Sequence, residues 1–155
     1  MSLRRCFEVA KTIAHARLYV TALGAYEASL NGRRVGNALL TPEPSQYTKH
    51  VLYQIYDVRE LLQPGANVLG LTVGDGWYAS FDDRYAFGLP PRRVLAQLEV
   101  TFADGSRQIV ATGPGWQTVE SAIRESQMQS GEVYDARLEQ PGWDTPSFDA
   151  SHWQK

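Results

Sequence analysis

Alternation of apolar and polar residues is the dominant pattern along this chain. Apolar residues at positions 16, 18, 20 and 22 alternate with more polar ones, and the same period recurs at residues 26–31 and 94–102. Successive side chains of a β-strand point to opposite faces, so this period predicts strands with one buried face. Residues 68–73 form a near-continuous apolar run, which predicts a strand covered on both faces.

Turn residues separate these segments. Asn31-Gly32 and Asp104-Gly105 lie between apolar runs and can adopt the positive φ angles of tight hairpins. Asp57 and Glu60 resemble a helix capping pair, and Pro64-Gly65 would end such a helix after about one turn. Frequent Pro, Gly and Asn suit many short antiparallel strands. The sequence therefore predicts an all-β fold, a jelly-roll-like antiparallel β-sandwich.

The composition changes at residue 141. Residues 1–140 carry the strand pattern and are interpreted as a β-sandwich domain. Residues 141–155, PGWDTPSFDASHWQK, contain two prolines and no alternation. They predict an extended arm that leads to a missing downstream domain, with interdomain contacts made by Trp143, Phe148 and Trp153. A natural terminus packed on its own domain is the alternative.

The bulk composition narrows the range of partners. A chain of 155 residues with a net charge of −2 is one domain without the basic field that attracts nucleic acid or anionic membranes. Its apolar stretches fall short of the roughly 20 residues that span a bilayer. The single cysteine, Cys6, excludes an internal disulfide and slightly favours the cytoplasm, while the location stays open.

No catalytic residue is predicted. Catalysis by a pair of carboxyl groups, as in the hydrolysis of glycosidic bonds, requires the two groups to face each other across a cleft. Glu132 and Asp135 are the tidiest candidates, but their spacing in a strand-like segment puts them on opposite faces. The favoured interpretation is an ion-paired or backbone-bonded structural set that includes Arg137. The three histidines lie far apart in the sequence without a metal-ligand pattern.

Two loops are candidates for ligand contacts. Residues 74–91 combine aromatic rings, which can pack a sugar, with carboxylates and Arg, which can bind its hydroxyls. The carbohydrate-binding candidates are Trp77, Asp82, Asp83, Arg84 and Tyr85, joined by Glu43 and Tyr47 from residues 41–50. Adjacent Asp82 and Asp83 could also bind calcium, the one cofactor considered. Alternatively, the aromatic residues close one end of the sandwich and the charges are solvated.

Several motifs occur in order along nearly the whole chain. They are ARLYVTALG at 16–24, Tyr26 with LNG at 30–32, YQIYDV at 53–58, GDGWY at 74–78, LAQLEV at 95–100, ADG at 103–105, GEVYDAR at 131–137, GWD at 142–144 and FD at 148–149. Together they resemble the amino-terminal β-sandwich region of bacterial α-L-rhamnosidases.

The resemblance implies a parent glycoside hydrolase that removes terminal α-L-rhamnose from glycosides by inversion. It also implies that the general acid and base are glutamates of a downstream helical barrel, which these 155 residues do not include. Some related sandwich domains bind rhamnose through calcium, but residues 41–50 carry only one acidic residue, Glu43.

Two hypotheses follow. The chain is a non-catalytic accessory domain that packs against the remaining domains of the same polypeptide and helps to present substrate. Alternatively, it is an independent carbohydrate-binding module for rhamnose or a related sugar. A free-standing hydrolase is the least supported reading, because it requires a carboxyl pair that the sequence does not display.

Overall fold

The structure is a computed structural model, and it describes residues 1–79 and 91–155. The strands within these ranges are β1 (Ser2–Val9), β2 (Ile13–Leu23), β3 (Ala25–Leu30), β4 (Arg33–Arg34), β5 (Gln54–Asp57), β6 (Gly65–Gly74), β7 (Arg93–Phe102), β8 (Arg107–Ala111), β9 (Gln117–Val119), β10 (Ile123–Gln127) and β11 (Gly131–Tyr134). In this part of the chain, no helix is long and apolar enough to cross a membrane.

Two antiparallel sheets form the sandwich. The five-stranded sheet has the order β4-β3-β6-β1-β9, and the four-stranded sheet has the order β5-β2-β7-β8. A separate hairpin, β10-β11, lies beside them. The paired strands run antiparallel, which confirms the predicted all-β sandwich.

The core lies between the two main sheets. Its completely buried residues include Leu18, Leu30, Leu69, Leu71, Leu98 and Val100. Cross-strand neighbours share a face, as Leu18 does with Leu98. Removing each such leucine from water contributes roughly 1.5–3 kcal/mol to folding, so this alternation is the main source of stability.

The predicted turns form where the sequence places them. Asn31 and Gly32 take φ values of 54° and 77° in the β3-β4 hairpin, while Gly105, at 82°, supplies the positive φ of the β7-β8 turn. The predicted short helix is a 3₁₀ turn at Arg59–Leu61, and Asp57 Oδ1 accepts a hydrogen bond from the Arg59 N–H at 3.1 Å. Pro and Gly then end it.

A buried amide pair stabilises the end of the sandwich near this turn. Asn67 is completely buried, and its Nδ2 donates to the carbonyl oxygens of Gln63 and Gly65 at 2.7 and 2.8 Å. Its Oδ1 accepts from Asn31 Nδ2 at 2.8 Å. Asn31 Oδ1 in turn accepts from the Val68 N–H. These bonds satisfy polar groups that would be costly to bury alone.

Residues 141–155 lie on the outer face of the five-stranded sheet. They form successive turns, not the extended segment that their composition suggested, because short polar side chains and Gly142 close them locally. A Cβ at Gly70 on β6 would lie 2.9 Å from both the Trp143 ring and Asp144 Cβ. The outer face of β6 is thus covered, as its apolar run predicts, and only glycine permits this close approach.

Candidate functional site

The two predicted loops contact each other through aromatic rings. Tyr47, from residues 41–50, meets Tyr78 edge-to-face, with ring centroids 5.2 Å apart and an angle of 84° between the planes. Burial and the neighbouring Tyr78 raise the pKa of Tyr47. Trp77 is half-buried beside Tyr78, whereas Glu43 is exposed. The structure therefore brings Tyr47 against Tyr78 at the start of the predicted loop 74–91, while Glu43 faces solvent.

Asp75 anchors residues 74–79, the start of the predicted loop 74–91, to the β10-β11 hairpin. Its Oδ2 accepts from the Ser126 N–H at 3.0 Å, and the Asp75 N–H donates to Ser126 Oγ at 2.9 Å. Arg92 forms an ion pair with the same carboxylate at 3.2 Å. These contacts hold the Asp75 carboxylate against the backbone of Ser126. They therefore fix the position of the residues that lead to Trp77.

Four of the predicted ligand-binding residues, Asp82, Asp83, Arg84 and Tyr85, lie outside the described residues. The predicted calcium site at Asp82 and Asp83 therefore stays a prediction. Within residues 1–79 and 91–155, no group of three or more His, Cys, Asp or Glu side chains is placed to hold a metal ion.

Asp135, one of the two carboxylates considered for catalysis, is bonded to its sequence neighbours. Asp135 accepts hydrogen bonds from Arg137 Nε at 2.8 Å and Nη2 at 2.7 Å, and it also caps the 3₁₀ turn Ala136–Leu138. These bonds hold the pKa of Asp135 below its usual value. Glu132 is exposed on β11. Of the structural set that the sequence favoured, the structure contains the ion pair between Asp135 and Arg137.

The aromatic residues of the carboxy-terminal segment cluster with one another on the sheet. The rings of Trp143 and Trp153 stack with centroids 5.8 Å apart, and Phe148 meets Trp153 edge-to-face at 6.1 Å. Trp153 is 4% exposed, so it packs within this chain, whereas Trp143 and Phe148 keep partly exposed surfaces. An interdomain role for the three residues stays a prediction, and only the latter two offer accessible surface for it.

A cleft of about 440 Å³ lies between the outer face of the five-stranded sheet, the β10-β11 hairpin and the carboxy-terminal segment. Its lining includes Ser2, Thr72, Tyr134, Glu139, Gln140 and Trp143. Sequence reasoning missed this cleft because its walls come from three segments that are distant along the chain. The motifs at residues 131–137 and 142–144 do, however, contain residues of two of these walls.

The outer face of the four-stranded sheet carries three exposed apolar side chains among its polar ones. Ile55 on β5, Leu95 on β7 and Ile109 on β8 are 53%, 57% and 60% exposed. Outward positions of a solvated sheet are normally polar. Apolar residues at outward positions of the alternation could have pointed to this face, but only the sheet order places the three side chains on one face.

Comparison with known proteins identifies relatives over nearly the whole chain. A sequence model of the α-L-rhamnosidase N-terminal domain matches residues 11–155. The chain is 47% identical over 146 residues to an α-L-rhamnosidase of Streptomyces avermitilis and 36% identical over 156 residues to one of Formosa agariphila. These alignments cover 92% and 98% of the chain but only 14% and 17% of the two enzymes.

Solved structures give the same assignment. The α-L-rhamnosidase of Streptomyces avermitilis complexed with L-rhamnose superimposes with a TM-score of 0.93 at 44% identity, over 99% of this chain and 15% of that one. For the enzyme of Aspergillus terreus the TM-score is 0.90 at 37% identity, over 99% and 18%. A Pleurotus ostreatus lectin, at 0.64 and 19% over 99% and 34%, shares the fold alone.

The sequence relatives exceed 30% identity over nearly all of the chain, and the family pattern extends to its last residue. The resemblance stated from the sequence is thus confirmed, and the chain belongs to the family of α-L-rhamnosidase N-terminal domains.

Proposed function

We propose that this chain is a non-catalytic accessory domain of a multidomain α-L-rhamnosidase that hydrolyses terminal α-L-rhamnose from glycosides. In this proposal, other domains of the same polypeptide pack against the outer face of the four-stranded sheet. The observation that carries the proposal is the set of exposed apolar side chains on that face, Ile55, Leu95 and Ile109. We name this surface the docking face.

The docking face extends across the four-stranded sheet, from β5 through β7 to β8. Ile55 lies opposite Tyr19 on β2, Leu95 lies opposite Thr21, and Ile109 lies opposite Glu99. Polar residues remain between the apolar ones. Such mixed surfaces are typical of contacts between domains, which are more polar than a core.

The length of the relatives favours a domain of the same polypeptide as the occupant. The chain spans 14% of the Streptomyces avermitilis enzyme, so most of such a protein lies outside the segment described here. Neighbouring domains are tethered at high effective concentration, and a modest apolar face is then sufficient for stable contact.

Thiol labelling tests this proposal. In a Cys6→Ser background, Ile109→Cys and Leu95→Cys should react rapidly in the isolated chain and at least about tenfold more slowly in the full-length parent. Gln129→Cys, at an exposed position of the β10-β11 turn, should react equally in both and serves as the control. Equal reactivity of the Ile109→Cys thiol in the chain and in the parent would refute the docking face.

The non-catalytic role has a separate test. The full-length parent should hydrolyse an aryl α-L-rhamnoside, and the isolated chain should not. Turnover by the isolated chain that persists after repurification would overturn the accessory assignment. Absence of turnover in the parent would overturn the proposed parent activity.

A second candidate function is carbohydrate binding at the two loops. The contact between Tyr47 and Tyr78 supports it, because it joins the two segments that carry the candidate residues. L-rhamnose titrated into the chain with calcium, and then with chelator, should shift NMR signals of Trp77 and Tyr47 if this function is real. The loss of these shifts in chelator would support a metal role, and their absence throughout would exclude the loops as a rhamnose site.

A further inference from the structure

The cleft on the five-stranded sheet has the composition of a ligand site. We propose that it binds a neutral saccharide, and we name it the sheet cleft. It lies on the opposite side of the sandwich from the docking face, so this inference does not depend on the proposed interdomain contact. Its volume of about 440 Å³ falls within the roughly 300–1,000 Å³ usual for small-molecule sites.

Two aromatic rings form its walls and are held in place by other side chains. Tyr134 is 50% exposed at the end of β11, and its Oη donates to Glu139 Oε1 at 2.7 Å. Trp143 stacks on Trp153, whose Nε1 donates to Gln140 Oε1 at 2.9 Å. Rings ordered before binding cost little entropy on association, and their faces suit the apolar C–H surface of a sugar.

Hydroxyl groups form the floor of the sheet cleft. Ser2 and Thr72 are direct cross-strand partners on β1 and β6, so their side chains lie together on the outer face of the sheet. Ser121 also lines the cleft, but its Oγ already accepts from the Met1 amino group and donates to the Ile123 carbonyl oxygen. Ser2 and Thr72 are therefore the floor groups with capacity for a ligand hydroxyl.

The charged side chains of the sheet cleft favour an uncharged ligand with many hydrogen-bond donors. Glu120, Glu139 and Asp144 line the sheet cleft, and its described lining contains no Lys, Arg or His. Two cations border the cleft at one end, where Arg124 pairs with Glu120 at 2.5 Å and the Met1 amino group donates to Ser121. Glu139 and Asp144 are therefore the carboxylates that repel anions such as phosphates or uronates and accept hydrogen bonds from sugar hydroxyls.

The test is an NMR titration of the isotopically labelled 155-residue chain with L-rhamnose, an α-L-rhamnosyl disaccharide and D-galactose, each up to about 50 mM. A site with a Kd of about 1 mM would be nearly saturated at this concentration. We expect saturable shifts in the Trp143 indole, the Gln140 side-chain amide and the Glu139 backbone amide. They should persist in chelator, because the described residues of the sheet cleft include no group placed to hold a metal ion.

Paired variants separate binding from folding. Tyr134→Ala should weaken binding by at least about tenfold, and Tyr134→Phe, which keeps the ring, by less. Tyr53→Ala removes a ring of similar exposure, 59%, next to the docking face and should leave binding unchanged. Dispersed spectra for each variant establish that it is folded.

Three results would overturn the inference. They are no saturable shift with any of the sugars, shifts confined to Tyr47, Trp77 and Tyr78, or equal weakening by Tyr134→Ala and Tyr53→Ala. None of these results would bear on the thiol-labelling test, so failure of this inference and failure of the proposed function are distinguishable.

Discussion

Arg4 Nη2 donates a 2.9 Å hydrogen bond to the carbonyl oxygen of Thr145, which lies 141 residues later in the chain. The Arg4 guanidinium also lies 5.6 Å from the centre of the Phe148 ring. Arg4 is 2% exposed, so these contacts are shielded from water. One buried cation on a central strand thereby attaches the carboxy-terminal segment to the sheet.

We expect Arg4→Met to loosen this attachment. The substitution keeps an apolar stem but leaves the Thr145 carbonyl without its donor. A hydrogen bond to a charged group contributes about 2 kcal/mol, so the free energy of unfolding should fall by about that amount. Amides in residues 141–155 should exchange hydrogen faster, as measured by mass spectrometry.

Arg5→Met is the matched control for this change. Arg5 is the next residue on β1, points to the other side of the strand and donates to the Pro114 carbonyl oxygen at 3.2 Å in an exposed setting. It should leave exchange in residues 141–155 unchanged. If Arg4→Met and Arg5→Met behave alike, Arg4 does not hold the segment.

The buried Asn67 amide supplies a second prediction. Asn67→Ala removes the donors to Gln63 and Gly65 and the acceptor for Asn31, so several buried polar groups lose their partners at once. We expect a loss of about 3 kcal/mol in urea unfolding. Asn37→Ala, at an exposed position, should change stability by less than about 0.5 kcal/mol. A small effect at Asn67 would contradict the proposed importance of the amide pair.

A third prediction concerns the contacts by which Asp75 positions Trp77 and Tyr78. Asp75→Ala removes the acceptor for the Ser126 N–H and the ion-pair partner of Arg92. The Asp75 side chain is 14% exposed, so we expect a loss of about 2 kcal/mol together with altered NMR shifts at Trp77 and Tyr78. Glu43→Ala, in the neighbouring exposed loop, is the control. Unchanged shifts at Trp77 would show that another contact positions the loop.

The amino group of Met1 predicts a pH dependence. Burial lowers its pKa from 8.0 to about 6, while it donates to the Val73 carbonyl oxygen at 3.0 Å. Between these values the unfolded chain binds more protons at this group than the folded chain does. The free energy of unfolding should therefore rise as the pH increases from 6 to 8.

Urea unfolding of the free and the amino-terminally acetylated chain isolates this effect. Only the free chain carries the titrating amine, so its stability should increase relative to that of the acetylated chain as pH rises from 6 to 8. A difference that is constant with pH would exclude the buried amine as the source.

Local patterns were sufficient for much of the fold. The alternation at residues 16–22 predicts β2 because period two is a local property of extended backbone, and Asn31-Gly32 predicts its hairpin because few residues tolerate positive φ. The pairing of Asp135 with Arg137 is likewise local. β1 escaped the sequence analysis because SLRRCFEV interrupts the alternation with two arginines, one of which is the buried Arg4.

The sequence by itself determined the fold class, the turns and the family of this protein, because these depend on short-range chemistry and ordered motifs. Only the tertiary structure decided what covers each outer face. Gly70 and Trp143 meet, and Ile55, Leu95 and Ile109 share one sheet face, through strand order and long-range packing that no local pattern encodes. The docking face and the sheet cleft are therefore properties of the assembled sheets.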